Sequence, residues 1–309
     1  MVKPWVDRSS PYAGNGRMPT VLPCKICHQQ AAFVGVKTGK LQQKSFELFH
    51  CPACGYSFIG NPWLDYADIY SEAYYKGQGA DPLVDYVFEL GWPDQTVRAY
   101  EWNGILAVVC SLMSVSPQTK WLDFGCGNGG LVRHVRFQTG CQIWGYEQGW
   151  IKDKAEKAGI SFLSEAELKE AEGSFDVVTA IEVLEHVLDP LAELKRIRSL
   201  LRPGGLFFFT TGNAEPHRNK LLQWPYVLPE IHISFFEPRT LSTALQTVGF
   251  RPENRNFSSG FNGIIRFKTL KTLGVRRKAI WEKLLPWPLL ARAIDKRLRV
   301  SAHPIGWAD

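Results

Sequence analysis

Four glycines fall within the six residues 125–130, directly after the apolar run Trp121-Leu122-Asp123-Phe124. Glycines packed this closely between an apolar strand and a helix allow left-handed backbone and bring helix N-terminal N–H groups against a ligand. Gly125, Gly127 and Gly130 satisfy the G-x-G-x-x-G spacing, and strand and helix patterns alternate around them. Strands are expected at 120–124, 141–147, 174–181 and 204–211, with helices at 129–138, 150–159, 189–201 and 238–249 between and after them. This alternation predicts βαβ units and a mostly parallel sheet. Residues 98–113 have helical apolar spacing and lead into it, and two weaker strands are expected near 251–257 and 263–270.

The glycine turn alone does not choose between a dinucleotide and S-adenosylmethionine (SAM). Both place an acidic residue at the end of the second strand for the ribose hydroxyls, and Glu147, 22 residues after Gly125, fills that role. Asp123 discriminates. A carboxylate at the strand end repels a pyrophosphate and suits a cationic amino-acid moiety. Beyond the next strand, Glu182, Glu185 and His186 place three polar groups together in IEVLEH, and LRPGG at 201–205 turns a helix into a very apolar strand.

The set LDFGCGNG, GYE, FDVVTAIEVLEHV, LRPGG and HISFFEPRTL resembles the class I SAM-dependent methyltransferases in order and spacing. The resemblance implies an α/β Rossmann-like sheet of seven strands. It places Asp123, Gly125 and Gly127 around the methionine part and Glu147 at the ribose, with Cys126 and Gln148 also among the cofactor contacts. It also puts Ser164 and Glu165 near the adenine and Ile181 and Glu182 over the sulfonium. The core resembles the ubiquinone-pathway O-methyltransferases, in which the E-x-x-E-H letters of Glu182, Glu185 and His186 are associated with Mg²⁺. The same letters are widespread in metal-free relatives. Candidate bases are His232, His186 and Glu185, all just past strand ends, and His232 follows a long loop at 212–231.

Two C-x-x-C pairs, Cys24/Cys27 and Cys51/Cys54, flank 23 residues that read as a hairpin. Four thiolates in two such knuckles are a structural Zn²⁺ site, with His28 and His50 as alternative ligands. A segment of about 40 residues cannot bury an adequate core, so metal would supply folding energy of roughly 10–16 kcal/mol. The ribbon followed by YSEAYYKGQG resembles a bacterial subgroup acting on sugars, lipids and secondary metabolites. Ribbons also precede ribosomal-RNA methyltransferases.

The organisation expected is an arm at 1–20, a zinc ribbon at 21–60, an aromatic connector or substrate cap at 61–97, a SAM-binding domain at 98–270 and a basic amphipathic extension at 271–309. Tyr70, Tyr74, Tyr75 and His232 are the acceptor-binding candidates. MVKPWVDRSS lacks a basic-then-apolar opening and no apolar run nears the ~18 residues of a membrane span, so a cytoplasmic protein is expected. Residues 265–300 carry eleven Lys or Arg against Glu282 and Asp295, a surplus of nine that leaves the remainder near −3. That extension can lie on an anionic membrane, hold an acidic substrate or pack on its own domain. The expected partner is a small-molecule methyl acceptor. The alternative is RNA gripped by ribbon and extension, although no [DN]-P-P-[YF] motif follows the fourth strand. No feature sets an oligomeric state.

Overall fold

A computed structural model describes residues 20–309 apart from 42 and 84, so the expected arm falls almost wholly outside the described residues. The N-terminal part is antiparallel: β1 (Val21–Pro23), β2 (Gln30–Thr38), β3 (Ser45–His50) and β4 (Ser57–Ile59). Three short helices follow, α1 (Tyr66–Ile69), α2 (Glu72–Tyr75) and α3 (Tyr86–Gly91). The long helix α4 (Arg98–Leu112) then opens the alternating region.

Strands β5 (Lys120–Phe124), β6 (Gln142–Tyr146), β7 (Phe175–Ile181) and β8 (Leu201–Thr210) are parallel neighbours in the order β6-β5-β7-β8. Their near-continuous apolar runs are what a sheet covered by helices on both faces requires. The connecting helices are α5 (Gly130–Thr139), α6 (Ile151–Lys157), α7 (Glu165–Glu170) and α8 (Pro190–Leu200). Past β8 come a two-residue strand β9 (Ser234–Phe235), α9 (Pro238–Thr247) and β10 (Phe250–Asn254). Helices α10 (Ser259–Thr272), α11 (Ile280–Lys283) and α12 (Trp287–Leu298) lead to β11 (Pro304–Ala308).

Four features of the architecture are set by the tertiary structure. Residues 263–270 are not a strand but lie in α10, whose Phe261, Ile264 and Ile265 fall on one buried helical face while Phe267 and Leu270 bury against Val97 and Trp287. This helix packs tightly on α4: a Cβ on Gly104 would sit 2.6 Å from the Gly260 carbonyl, and one on Gly263 would sit 2.4 Å from that of Tyr100. Second, the segment 271–309 takes part in the central sheet. Its last strand, β11, lies between β8 and β10 and is antiparallel to both.

Third, the sheet has six strands among the described residues, in the order β10-β11-β8-β7-β5-β6. The seventh position is a single parallel bridge, Gly145 to Phe162. It stops there because Ser164 caps α7 through a reciprocal capping box with Glu167. Fourth, the ribbon's sheet takes in a strand from beyond residue 60. β4 pairs with β9, joining Ser57 to Phe235 and Phe58 to Ser234, so its sheet runs β1-β2-β3-β4-β9. One apolar cluster, including Phe49, Tyr56, Phe207 and Phe236, links ribbon and main sheet.

Because β11 completes the central sheet, Ile305 is a core residue and fully buried. Ile305→Ala should lower unfolding stability by about 2–5 kcal/mol in urea titrations. A loss below about 0.5 kcal/mol would mean the terminal strand is peripheral to the fold.

Candidate active site

The turn between β5 and α5 forms one wall of a cleft of about 390 Å³, partly open to solvent, whose lining includes Asp123, Cys126, Asn128 and Ile181. Gly125 and Gly127 have φ of 70° and 56°, in the left-handed region. A Cβ on them would meet Val183 at 2.7 Å and the Tyr86 ring at 2.8 Å. Only glycine meets both demands. Glu147, just past β6, accepts the Gly127 N–H at 2.9 Å, the Gln148 N–H at 2.9 Å and the Gly149 N–H at 2.7 Å. The acid is thereby locked against the loop it was expected to serve. Asp123 is buried, takes the Thr179 hydroxyl at 2.8 Å, and is pushed up to about 7 by burial.

Two further groups in this cleft escaped the sequence reading. Glu101, on α4, is buried; one oxygen takes Arg98 Nη1 at 3.0 Å while its Oε1 has no partner. Burial raises its pKa. An unpartnered buried carboxylate oxygen is costly unless a cation arrives. Its position beside Asp123 fits the ammonium of the SAM methionine moiety. The only signal was a Glu three residues after an Arg in an otherwise apolar helix. Asn128 stitches the loop down, donating to the Tyr86 carbonyl at 3.0 Å and accepting the Gly130 N–H at 3.0 Å.

Other expected cofactor residues are dispersed. Ile181 lines the cleft, but Glu182 turns to Lys268 Nζ at 2.6 Å and the Thr210 hydroxyl at 2.9 Å. The Ser164 hydroxyl is engaged with Glu167, Glu165 takes the Tyr146 hydroxyl and Arg196, and Gln148 donates to Tyr146.

Val183, against Gly125, leads from the cleft into the short 3₁₀ turn Leu184–His186. There the structure gathers Glu185, His186 and His232, one ligand-type atom of each lying within 4.8 Å of the others. The imidazoles meet edge-to-face at 4.8 Å between centroids. His232 Nδ1–H donates to the Tyr226 carbonyl at 2.6 Å and His186 Nδ1–H to the Ile231 carbonyl at 2.9 Å. Carbonyls only accept, so both rings carry hydrogen on Nδ1 and present a bare Nε2. Burial holds His232 down at about 4 and His186 at about 3. Glu185 takes Tyr226 and Thr211 hydroxyls at 2.6 and 2.8 Å and is pushed up to about 8 by burial, then by Glu182. Glu182, held by the Lys268 cation, lies at about 2 despite burial. The expected trio Glu182, Glu185 and His186 is therefore split, with Glu182 in an ion pair and His232 in its place. Tyr226 is a further member that no motif announced.

The three tyrosines divide. Tyr70 places its hydroxyl 2.9 Å from His186 Nδ1. Tyr74 is buried within the aromatic cluster, edge-on to both Tyr70 and Tyr75. Tyr75 stacks on Trp150 and crowds Gly149, beside the Glu147 loop, so it belongs to the cofactor end.

The thiols of Cys24, Cys27, Cys51 and Cys54 converge within 4.8 Å, with Cys24–Cys54 and Cys27–Cys51 each at 3.5 Å. These separations exceed a disulfide bond of ~2.05 Å and approach the ~3.8 Å edge of a tetrahedron with 2.3 Å zinc–sulfur bonds. The donor set fits Zn²⁺. His50 is diverted to the Ser57 hydroxyl at 2.8 Å.

The folded chain keeps the Glu185 proton between the ordinary 4.5 and about 8, where the unfolded chain has released it. Its contribution to stability therefore falls as pH rises through that window. Glu185→Gln should raise the melting temperature relative to the parent more at about pH 8 than at about pH 5. A pH-independent difference would show that this carboxyl is not held protonated.

Residues 103–254 match a family model described as a methyltransferase domain. The ubiquinone biosynthesis O-methyltransferase of Stutzerimonas stutzeri is 36% identical over 107 residues, 31% of this chain and 46% of that protein. The enzyme of the same name from Cereibacter sphaeroides is 40% identical over 106 residues, covering 31% and 42%. The chain thus spans less than half the length of the curated relatives it matches. Among solved structures, the fold resembles Haemonchus contortus phosphoethanolamine N-methyltransferase 2 at a TM-score of 0.51 and 15% identity, covering 90% of this chain and 68% of that one. Residues 103–254 are thus similar to the methyltransferase-domain family, and they lie on a Rossmann-like α/β fold of the kind seen in that solved methyltransferase, with a four-cysteine cluster at its N-terminal end.

Proposed function

We propose that this protein transfers the methyl group of SAM to an oxygen of a small-molecule acceptor, with His232 as the base. The observation that carries the reading is the pair of neutral, carbonyl-oriented imidazoles directly beyond the Gly125 turn. SAM supplies an electrophilic methyl on a sulfonium that leaves as a neutral thioether. Asp123 and Glu101 hold the cationic methionine end, Glu147 holds the ribose, and Tyr86 covers the glycine turn. Burial excludes water from the transfer, and orientation accounts for up to about 7–11 kcal/mol of such rate enhancements.

His232 Nε2 takes the acceptor proton, and the Nδ1–H bond to the Tyr226 carbonyl fixes the tautomer that leaves Nε2 free. With a pKa near 4 it is a weak base. Proton transfer is therefore easiest from an acidic hydroxyl, such as a phenol near 10, rather than from an alkyl alcohol. The relatives named as ubiquinone biosynthesis O-methyltransferases support oxygen as the accepting atom. Tyr70 and Tyr226 offer flat walls to such a ring. Zn²⁺ held by the four cysteines would brace the loop that carries His232, away from the chemistry.

Calorimetry with S-adenosylhomocysteine (SAH) and turnover with simple catechols test the assignment. His232→Ala should leave SAH affinity within about twofold and cut turnover by 10²–10⁴-fold, roughly the value of a general base. Glu101→Gln should weaken SAH binding by about tenfold, the loss of a charge-assisted bond. Full turnover in the histidine variant would remove His232 from the chemistry, and a parent chain that does not bind SAH would end the reading.

Elemental analysis should find one zinc per chain. Cys54→Ser should abolish it and depress catechol turnover while leaving SAH affinity within a few-fold. Metal-free protein with full activity would refute a role for zinc.

A further inference from the structure

The methyl-transfer reading leaves the surface between α10 and β11 unused. Helices α11 and α12 meet in an elbow at Pro286, and two buried residues pin it. Glu282 is fully buried and accepts the Tyr100 hydroxyl at 2.8 Å and Arg266 Nε at 3.1 Å. Trp287 donates its indole N–H to the Glu282 carbonyl at 2.6 Å. With the backbone held, the neighbouring apolar side chains project outward: Ile280 and Leu284 are each 80% exposed, Leu289 69% and Trp281 50%. Solitary exposed leucines are ordinary, but Ile280, Trp281, Leu284, Leu285 and Leu289 lie within ten residues on one elbow.

Cations surround them. Lys283, Arg292, Lys296 and Arg297 are exposed, and none forms an ion pair among the described residues. Of the eleven Lys and Arg over 265–300, Arg266, Lys268, Lys271, Arg276 and Arg299 are ion-paired within the protein, which leaves Arg277, Lys278, Lys283, Arg292, Lys296 and Arg297 outside any ion pair among the described residues. Side chains exposed to 80% protrude into solvent rather than line a groove, so their fitting partner is a deformable surface. Protruding aliphatics with an indole and a cationic rim match the interface of an anionic bilayer, where apolar groups enter the headgroup region and cations meet lipid phosphate and carboxylate.

We infer that the α11–α12 elbow docks this protein onto an anionic lipid surface. The docking is independent of the methyl-transfer site and goes beyond that reading. Full-length protein should float with phosphatidylcholine vesicles containing about a third phosphatidylserine, bind phosphatidylcholine alone weakly, and be released by salt at about 0.5 M. Ile280→Glu with Leu284→Glu should weaken the binding at least about tenfold, as should Lys283→Ala with Arg292→Ala. The exposed pair Lys157→Ala with Lys169→Ala, on α6 and α7, should leave it unchanged. Because these positions are exposed, SAH affinity should stay at the parent value in every variant, which separates failure here from failure of the methyltransferase reading. Absence of flotation, or flotation that survives both elbow variants, overturns the proposal. So does sedimentation showing an oligomer that the Glu variants dissociate, which would make the elbow an interface between copies of the chain or with another protein.

Discussion

Two backbone rungs, Ser57–Phe235 and Phe58–Ser234, join the cysteine ribbon to the catalytic half of the molecule. Strand β9 is only two residues long and gains little by itself, since short isolated pairings are marginal. It holds because Tyr56 packs at a tilt against Phe236, 5.3 Å between ring centroids, and shares a 2.7 Å hydrogen bond with the Ser234 hydroxyl. The Thr240 hydroxyl, at the start of α9, closes the same joint by donating to the Cys54 carbonyl at 2.7 Å. His232 lies two residues before this joint. In the proposed reaction, the thiol cluster would bear on the chemistry by fixing where the loop 212–233 can put its histidine.

The interior of the site is a set of ionisable groups driven apart by burial and neighbours. Glu182 is kept charged by Lys268, Glu185 is kept neutral by burial beside that charge, and both imidazoles are kept neutral. Such divergence among groups a few ångströms apart is the pattern of acid–base sites, because one environment can then donate while another accepts. It also explains the left-handed φ of 55° at Glu182. Turning that residue out of the strand path aims its carboxylate at Lys268 rather than at the cleft, a local strain supported by an ion pair and the Thr210 hydroxyl.

Between the two halves, the aromatic connector serves both. Tyr86 and Tyr75 close over the Gly127 and Glu147 end, whereas Tyr70 reaches His186. One run of tyrosines, uniform in sequence, is divided between the glycine-turn cleft and the His186–His232 pair by the bends between three short helices.

What the sequence determined by itself was local or periodic. Gly125 and Gly127 announce a left-handed turn because no other residue accepts those φ values beside Val183 and Tyr86. The parallel strands announce themselves as unbroken apolar runs, and the C-x-x-C knuckles by spacing alone. The tertiary structure decided whatever depends on a distant partner. Whether 263–270 became helix or strand turned on the glycine contact with α4, since a short apolar run fits either a buried helix or a strand. The place of Pro304–Ala308 was set by the gap between β8 and β10. The Glu101 oxygen, the Tyr226 hydroxyl and the substitution of His232 for Glu182 in the triad arose from side chains that meet only after folding. Short-range propensity carries no record of which buried group will lack a partner, and that record is where the chemistry of this protein lies.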